Sequence, residues 1–327
     1  MRALLSRACG GPESLRVEEV PVPEPGAGEV RIAVRACALN YPDLLMIEDR
    51  YQFRPQRPFA PGIEVAGVVD ALGPGVTGLS RGMPVMASMS HGGLAEAAIA
   101  QAAKCMPIPE GMPFDEAAAF SVTYGTAYHA LKDKGRLEAG ETLLVLGASG
   151  GVGLAAVELG RALGANVVAA VSSEEKAEIA RRHGAARTLI YPRTSPEPKA
   201  LAAMMKEACP GGANVVFDPV GGAYAEPALR ALTWEGRYLV IGFVAGIPSP
   251  PLNLVLLKSC SIVGVFWGSW IERCPEGHGR NTEALFSLYR SGAIRPLVSN
   301  RFPLERAAEA MRLLADRGAV GKIVVVL

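Results

Sequence analysis

A chain of 327 residues exceeds what one ordinary hydrophobic core organises, and its length favours about two domains. Half of the residues are hydrophobic and a fifth are charged, a globular composition that excludes extended disorder. The 33 basic and 32 acidic residues nearly cancel and form no block of like charge, which excludes nucleic acid and an anionic membrane surface as default partners.

The apolar stretch in MRALLSRACGGPESL is too short for a secretory segment, and no run of about 18 uncharged apolar residues occurs. A cytoplasmic protein is the expectation. Six cysteines (Cys9, Cys37, Cys105, Cys209, Cys260, Cys274) include no CxxC pair and no histidine at metal-ligand spacing, so they read as small buried hydrophobes or inert thiols and no metal site is expected.

Residues 15 to 110 read as short strands punctuated by turns. EVRIAVRACAL alternates, GIEVAGVVDALG follows a proline-rich loop, and GMPVMAS and GGLAEAAIA come in quick succession, the pattern of a mostly antiparallel, barrel-like domain. A helix is expected from Asp115 through DEAAAFSVTYGTAYHAL.

From Thr142 apolar runs alternate with helical stretches. The runs are Thr142 to Leu146, Val167 to Val171, Arg187 to Ile190, Asn214 to Phe217, Arg237 to Ile241 and Ser261 to Phe266. Six strands joined by crossovers predict an α/β fold with a doubly wound six-stranded parallel sheet. A helix at Asn281 to Arg290, a strand at Arg295 to Asn300, a helix from Leu304 and a last strand, GKIVVVL, have no place in that sheet. They are expected to fold back onto the first domain and make it discontinuous.

The segment TLLVLGASGGVGLAAVELGRALGANVVAAVSSEEK carries the most chemistry. Its turn, Ala148-Ser149-Gly150-Gly151-Val152-Gly153, directly follows a strand and directly precedes a helix, the context of a dinucleotide-binding fingerprint. Ala148 stands at the first glycine of the common GxGxxG pattern, making an AxGxxG variant. Gly150 would let a pyrophosphate approach the backbone, Gly153 would let helix and strand pack closely, and the helix N-terminus would bind the phosphate charge. A turn that merely closes a βα unit is the plainer alternative, disfavoured because strand, turn, helix and second strand occur in register.

The acidic residue that grips a ribose 2′-hydroxyl belongs about 20 residues beyond the turn, and that place is Ser172. Without a carboxylate, a 2′-phosphate would take hydrogen bonds from Ser172 and Ser173 and charge from Lys176. The expected cofactor is therefore NADPH. A solvated helix lysine is the plainer reading of Lys176.

The motifs GASGGVG, SSEEK, DPVGG and LNLVLLKSCSIVGVFWG resemble the medium-chain dehydrogenase/reductases, and within them the zinc-independent NADPH:quinone oxidoreductases. The likeness covers nearly the whole chain. It implies a GroES-like, mostly β catalytic domain formed from residues 1–120 and 269–327, a Rossmann NADPH-binding domain over 121–268, and an active site in the cleft. Zinc alcohol dehydrogenases of the same superfamily carry cysteine and histidine ligands at the places of Asn40 and Ile63. Isoleucine cannot ligate a metal and asparagine is a poor zinc ligand, so the expected chemistry is metal-free. Without a Lewis acid, reduction of an acceptor that is already electrophilic is more feasible than oxidation of an unactivated alcohol.

The resemblance places Asn40, Asp43, Tyr51 and Glu64 at the catalytic site. Asn40 would donate to a carbonyl oxygen, Tyr51 would donate a hydrogen bond or a proton, and Asp43 and Glu64 would orient their neighbours. Thr123 and Thr126 match positions facing the nicotinamide, and Tyr191 matches one near the adenosine phosphate. Gly242, Phe243 and Val244, then Phe266, Trp267 and Gly268, follow strands whose carboxyl ends border the cofactor crevice, and Lys322 is a further candidate for reaching the cofactor. The edge strand SCSIVGVFWG suggests a homodimer that continues the Rossmann sheet. A small electrophilic quinone or carbonyl compound is the expected substrate. The alternatives are an enoyl thioester or 2-alkenal reductase, for which Arg50, Arg54 and Arg57 would form a basic rim, and an NADPH-binding protein with little turnover.

Overall fold

The computed structural model describes residues 1–192 and 197–327. In chain order it begins with β1 (Arg2–Leu5), β2 (Arg16–Glu19), β3 (Glu29–Ala38), α1 (Tyr41–Ile47), β4 (Glu64–Leu72), β5 (Pro84–Ser88), β6 (Ala97–Gln101) and β7 (Cys105–Pro107). Helices α2 (Phe114–Ala118) and α3 (Ser121–Tyr128) follow, and a π-helical turn (His129–Lys134) continues α3. The alternating section is β8 (Thr142–Leu146), α4 (Gly151–Ala162), β9 (Asn166–Val171), α5 (Glu174–Arg182), β10 (Arg187–Ile190), α6 (Pro198–Ala208), β11 (Ala213–Asp218), α7 (Ala225–Ala231), β12 (Leu232–Val240), α8 (Asn253–Lys258) and β13 (Ser261–Gly264). The chain ends with α9 (Trp267–Arg273), α10 (Pro275–Arg290), β14 (Val298–Pro303), α11 (Ala307–Ala315) and β15 (Lys322–Val326).

These elements divide into two compact units, Met1–Val122 with Pro296–Leu327, and Thr123–Arg295. In the first, β3 alternates as the sequence predicts, burying Val30, Ile32 and Val34 while the residues between them stay partly exposed. Its sheet runs β14-β15-β3-β4-β5-β7, with β6 also pairing with β3. β15 lies antiparallel to β3, with Val324 opposite Ala38. The last strand is thus interior to this sheet, which makes the unit discontinuous in sequence.

The second unit is built on a parallel sheet ordered β10-β9-β8-β11-β12-β13. Its strands are buried runs such as Leu143–Leu146 and Val167–Val171, as expected where helices cover both faces. Because every pairing is parallel, the segments after all six strands lie along one edge. Chain order reverses between β8 and β11, the switch point at which such sheets bind ligands.

The return to the first unit comes at Pro296 rather than at the expected residue 269. Packing within the second unit accounts for the difference. Trp267 lies so close to Gly125 that a Cβ there would fall 2.7 Å from its indole ring, and Trp270 stacks on His129 with ring centroids 4.0 Å apart. In α10, Asn281 donates to Asp133 at 2.7 Å. Helices α9 and α10 are therefore anchored to α3 and the turn that continues it.

Candidate functional site

In the first unit the candidate catalytic residues form one buried polar network. Asp43, in the first turn of α1, accepts the Asn40 backbone N–H at 2.8 Å through Oδ2 and the Gly62 N–H at 2.9 Å through Oδ1. Glu64, which opens β4, accepts the Val122 N–H at 2.7 Å through Oε1. The Asn40 amide donates to Ala38 O and to Glu64 Oε2, both at 3.2 Å. Lys322, the first residue of β15, donates to Asn40 Oδ1 at 2.7 Å, to Leu39 O at 2.9 Å and to Glu64 Oε2 at 3.4 Å.

Two roles read from the sequence change with this geometry. Both amide protons of Asn40 point at protein acceptors, so its side chain orients the network instead of offering a donor to a substrate oxygen. An ammonium has three donors, and those of Lys322 meet three acceptors in the first unit, Asn40 Oδ1, Leu39 O and Glu64 Oε2, so this lysine is a member of that network. Burial raises the Glu64 carboxyl above its usual range against the pull of Lys322, and burial pushes Asp43 up to about 6 against its two backbone donors. The Cys37 thiol beside them is likewise pushed up, first by burial and then by the two carboxylates.

Tyr51 is half-buried against the core of this unit. Its hydroxyl has no hydrogen-bond partner among the described residues, and burial, with Asp43 nearby, raises its pKa. It is thus the candidate left with an available donor. Of the three arginines suggested for a basic rim, Arg57 is tied to Asp49 at 2.7 Å and Ile47 O at 2.8 Å and lies over the Phe59 ring. Arg50 pairs with Glu48 at 3.0 Å. Sequence reasoning passed over Ser121, whose buried hydroxyl is unpartnered among the described residues and opens α3, the helix that carries Thr123 and Thr126.

The second unit carries its candidate site on the backbone. Gly147 adopts φ +57° and makes the sharp turn that the fingerprint assigns to its first glycine, one place before Ala148. Gly150 closes that turn by donating to Gly147 O at 3.0 Å, and α4 starts at Gly151. A Cβ on Gly153 would lie 2.3 Å from Gly147 O, so helix and strand meet too closely for any side chain there. A Cβ on Gly150 would meet only Gly147 O, at 3.5 Å: the fold itself leaves room there. Ala148 and Ser149 are buried beneath the turn, and the first-turn N–H groups of α4, from Gly151, Val152 and Gly153, have no acceptor inside the helix.

Ser172 follows β9 directly, and Ser173 caps α5, its hydroxyl accepting the Lys176 N–H at 3.3 Å. The Ser173 proton stays free to donate elsewhere. Glu174, the acid nearest these serines in sequence, is drawn along α5 into an ion pair with Arg181. Farther along the edge, the DPVGG loop is fastened by Asp218, which accepts the Val220 N–H at 2.6 Å, the Gly221 N–H at 2.9 Å and the Tyr238 hydroxyl. Gly222 N–H donates to Gly246 O at 2.7 Å, joining this loop to the one that holds Gly242, Phe243 and Val244.

The remaining candidates are not equivalent. Phe266 is 58% exposed beside the exposed Gly268, whereas Trp267 is 6% exposed and packs on Gly125. Tyr191 is buried in the core, its ring 4.9 Å from that of Tyr224. Thr123 is buried and Thr126 partly so.

A GroES-like unit closed by the chain's last strand, together with a doubly wound unit bearing a glycine turn at its switch point, defines a medium-chain dehydrogenase/reductase. Residues 26–110 match the model of the alcohol dehydrogenase GroES-like domain, and residues 151–280 match that of the zinc-binding dehydrogenases. A quinone oxidoreductase-like protein 2 homolog of Nematostella vectensis is 36% identical over 305 residues, covering 92% of this chain and 82% of its own. A mycobacterial protein solved in complex with NADPH superposes with TM-score 0.93 at 30% identity, and a quinone oxidoreductase from Thermus thermophilus, also solved with NADPH, with TM-score 0.84 at 34% identity. Each covers 100% of both chains. This chain belongs to the quinone oxidoreductase family of the medium-chain dehydrogenase/reductases.

The zinc implied by the second model's description does not fit the residues present. Ile63 has no donor atom, and Asn40 Oδ1 and Glu64 Oε2 already hold the Lys322 ammonium. Among the described residues no group of three or more His, Cys, Asp or Glu side chains could hold a metal ion. Nor is any described helix long and apolar enough to cross a membrane.

Proposed function

We propose that this protein is an NADPH-dependent reductase that delivers a hydride to a quinone or a related electrophilic carbonyl compound. The observation that carries the reading is the glycine turn at the sheet's switch point, followed at the end of β9 by serines in place of a carboxylate. The backbone N–H groups of Gly151 to Gly153 bind the pyrophosphate, and Ser172, Ser173 and Lys176 bind the 2′-phosphate. Thr123 and Thr126 would face the nicotinamide, and Gly242 to Val244, Phe266 and Gly268 would border the cofactor, with Tyr191 and Trp267 packed behind them. Bound NADPH supplies a hydride from C4, and the acceptor takes up that hydride and one proton, leaving NADP⁺ and the reduced product. Tyr51 donates to the oxygen on which charge develops, and Asn40, Asp43 and Glu64 hold the surrounding backbone.

The commitment of Arg57 to Asp49 and Ile47 weighs against a basic rim for a CoA phosphate. NADPH oxidation measured with a panel of quinones and with crotonyl-CoA tests the substrate class. Turnover with quinones supports the proposal, turnover with crotonyl-CoA alone replaces it with enoyl thioester reduction, and tight NADPH binding without turnover of any electrophile replaces it with a binding role. The protein acts as a cytoplasmic homodimer joined through β13, whose Ile262 is 40% exposed at the sheet edge. Light scattering checks this, and a monomeric mass refutes it.

A further inference from the structure

We propose that Lys322 is a positioning residue of the catalytic unit: its buried ammonium fixes the orientation of the Asn40 amide and, through Glu64, the start of α3. The inference rests on the reductase reading for the reaction it serves, and on the geometry of the first unit for everything else.

Lysine is rarely buried unless paired, and Lys322 is 5% exposed. It sits on an interior strand between β14 and β3, so it is no ordinary strand-edge lysine. Its contacts close a ring. Lys322 donates to Asn40 Oδ1 and Glu64 Oε2, and Asn40 Nδ2 donates to the same Glu64 oxygen. An ammonium can only donate, so it dictates which end of the Asn40 amide faces it. The other end is thereby aimed at Ala38 O and Glu64. The second oxygen of Glu64 holds the N–H of Val122, in the first turn of α3.

Charge makes this arrangement conditional on the cation. Asp43 and Glu64 are both fully buried, and Lys322 is the cation that acts on both of them. The other titratable groups facing the cluster are the Cys37 thiol and, across from Asp43, the Tyr51 phenol. Without Lys322 two buried carboxylates face each other uncompensated, and Glu64 takes up a proton at a higher pH than before. A protonated Glu64 is a poorer acceptor for Val122 and Asn40, and the Asn40 oxygen has lost its donor. The Asn40 amide and the Val122 N–H at the start of α3 are then no longer held in place, although no group that touches substrate has been removed.

The test compares Lys322→Met with the double variant Lys322→Met/Glu64→Gln, which removes both charges. Lys322→Met is expected to bind NADPH as the wild type does, to lose about 10²-fold in kcat, and to show the acid limb of its kcat profile moved up by about one pH unit or more. The double variant, with no Glu64 carboxyl left to titrate, is expected to regain thermal stability and to lose the raised acid limb without regaining kcat, an outcome that a purely structural lysine does not produce. Wild-type kcat in Lys322→Met, recovery of kcat in the double variant, or weakened NADPH affinity at unchanged kcat would each overturn the proposal. Where Lys322→Met does not fold, the double variant alone decides. Carbon-13 NMR of the carboxyl groups in the cofactor-free protein separates this inference from the function. If the wild type reduces no electrophile, the reductase reading fails, and an upward move of the Glu64 midpoint in Lys322→Met still supports the assignment while an unmoved midpoint overturns it.

Discussion

The two units place their chemistry on different parts of the chain. At the edge of the parallel sheet the work falls to backbone: a turn at Gly147, open N–H groups at the start of α4, and glycines whose missing Cβ atoms set how close a neighbour can come. In the first unit it falls to ionisable side chains, Asp43, Glu64 and Lys322, buried together and tied to backbone at Leu39, Asn40, Gly62 and Val122. The two sites are therefore fragile in opposite ways. A backbone site is broken by adding atoms and a side-chain network by removing them.

The largest expected effect lies in the first unit. Tyr51→Phe removes a hydroxyl and leaves the packing of the ring, and kcat should fall by about 10²–10⁴-fold with NADPH affinity unchanged. Steady-state kinetics with a quinone, alongside a direct NADPH titration, checks both halves. Unchanged turnover would make Tyr51 a packing residue.

The second unit divides its own glycines. Gly153→Ala forces a Cβ to within 2.3 Å of Gly147 O, so the variant should lose roughly 1–3 kcal/mol of stability through overpacking and lose NADPH binding with it. Gly150→Ala places its Cβ 3.5 Å from the same oxygen, and its Tm should match the wild type while NADPH affinity drops, because only the ligand needs that space. Thermal melts with and without NADPH distinguish the two. Equal loss of stability in both would mean that Gly150 serves the fold alone.

A smaller effect is expected at Lys176. Lys176→Ala should weaken NADPH by roughly 1.5–3 kcal/mol, the range for a hydrogen bond to a charged group, and leave NADH nearly unaffected. Parallel titrations of the two cofactors measure the difference. A uniform loss would return Lys176 to the solvated face of α5.

The same contrast governs what the sequence made legible. The strands Thr142–Leu146 and Arg187–Ile190 occur with the limits that their residue runs predict, since short runs bounded by turn residues are local signals, whether the strand is buried like the first or at the sheet edge like the second. The glycine turn is equally local, although its sharpest bend falls at Gly147 and not at Ala148. By contrast, the network around Lys322 joins residues 258 and 282 positions apart, and no period or spacing announces it. The return boundary was hidden for a similar reason, because α9 and α10 are held by two tryptophans against Gly125 and His129. The helix expected from Asp115 breaks between α2 and α3 and ends in a π-helical turn, a change of winding that hydrophobic periodicity does not encode.

The proposed reaction moves a hydride from NADPH to an electrophilic acceptor without a metal. Single-turnover reduction of a quinone by NADPH deuterated at the transferred C4 position, in the presence of a chelator, tests it most directly. A primary isotope effect on the observed rate and full activity in chelator are the expected result. A rate indifferent to deuterium in a turnover that chelator abolishes would contradict it.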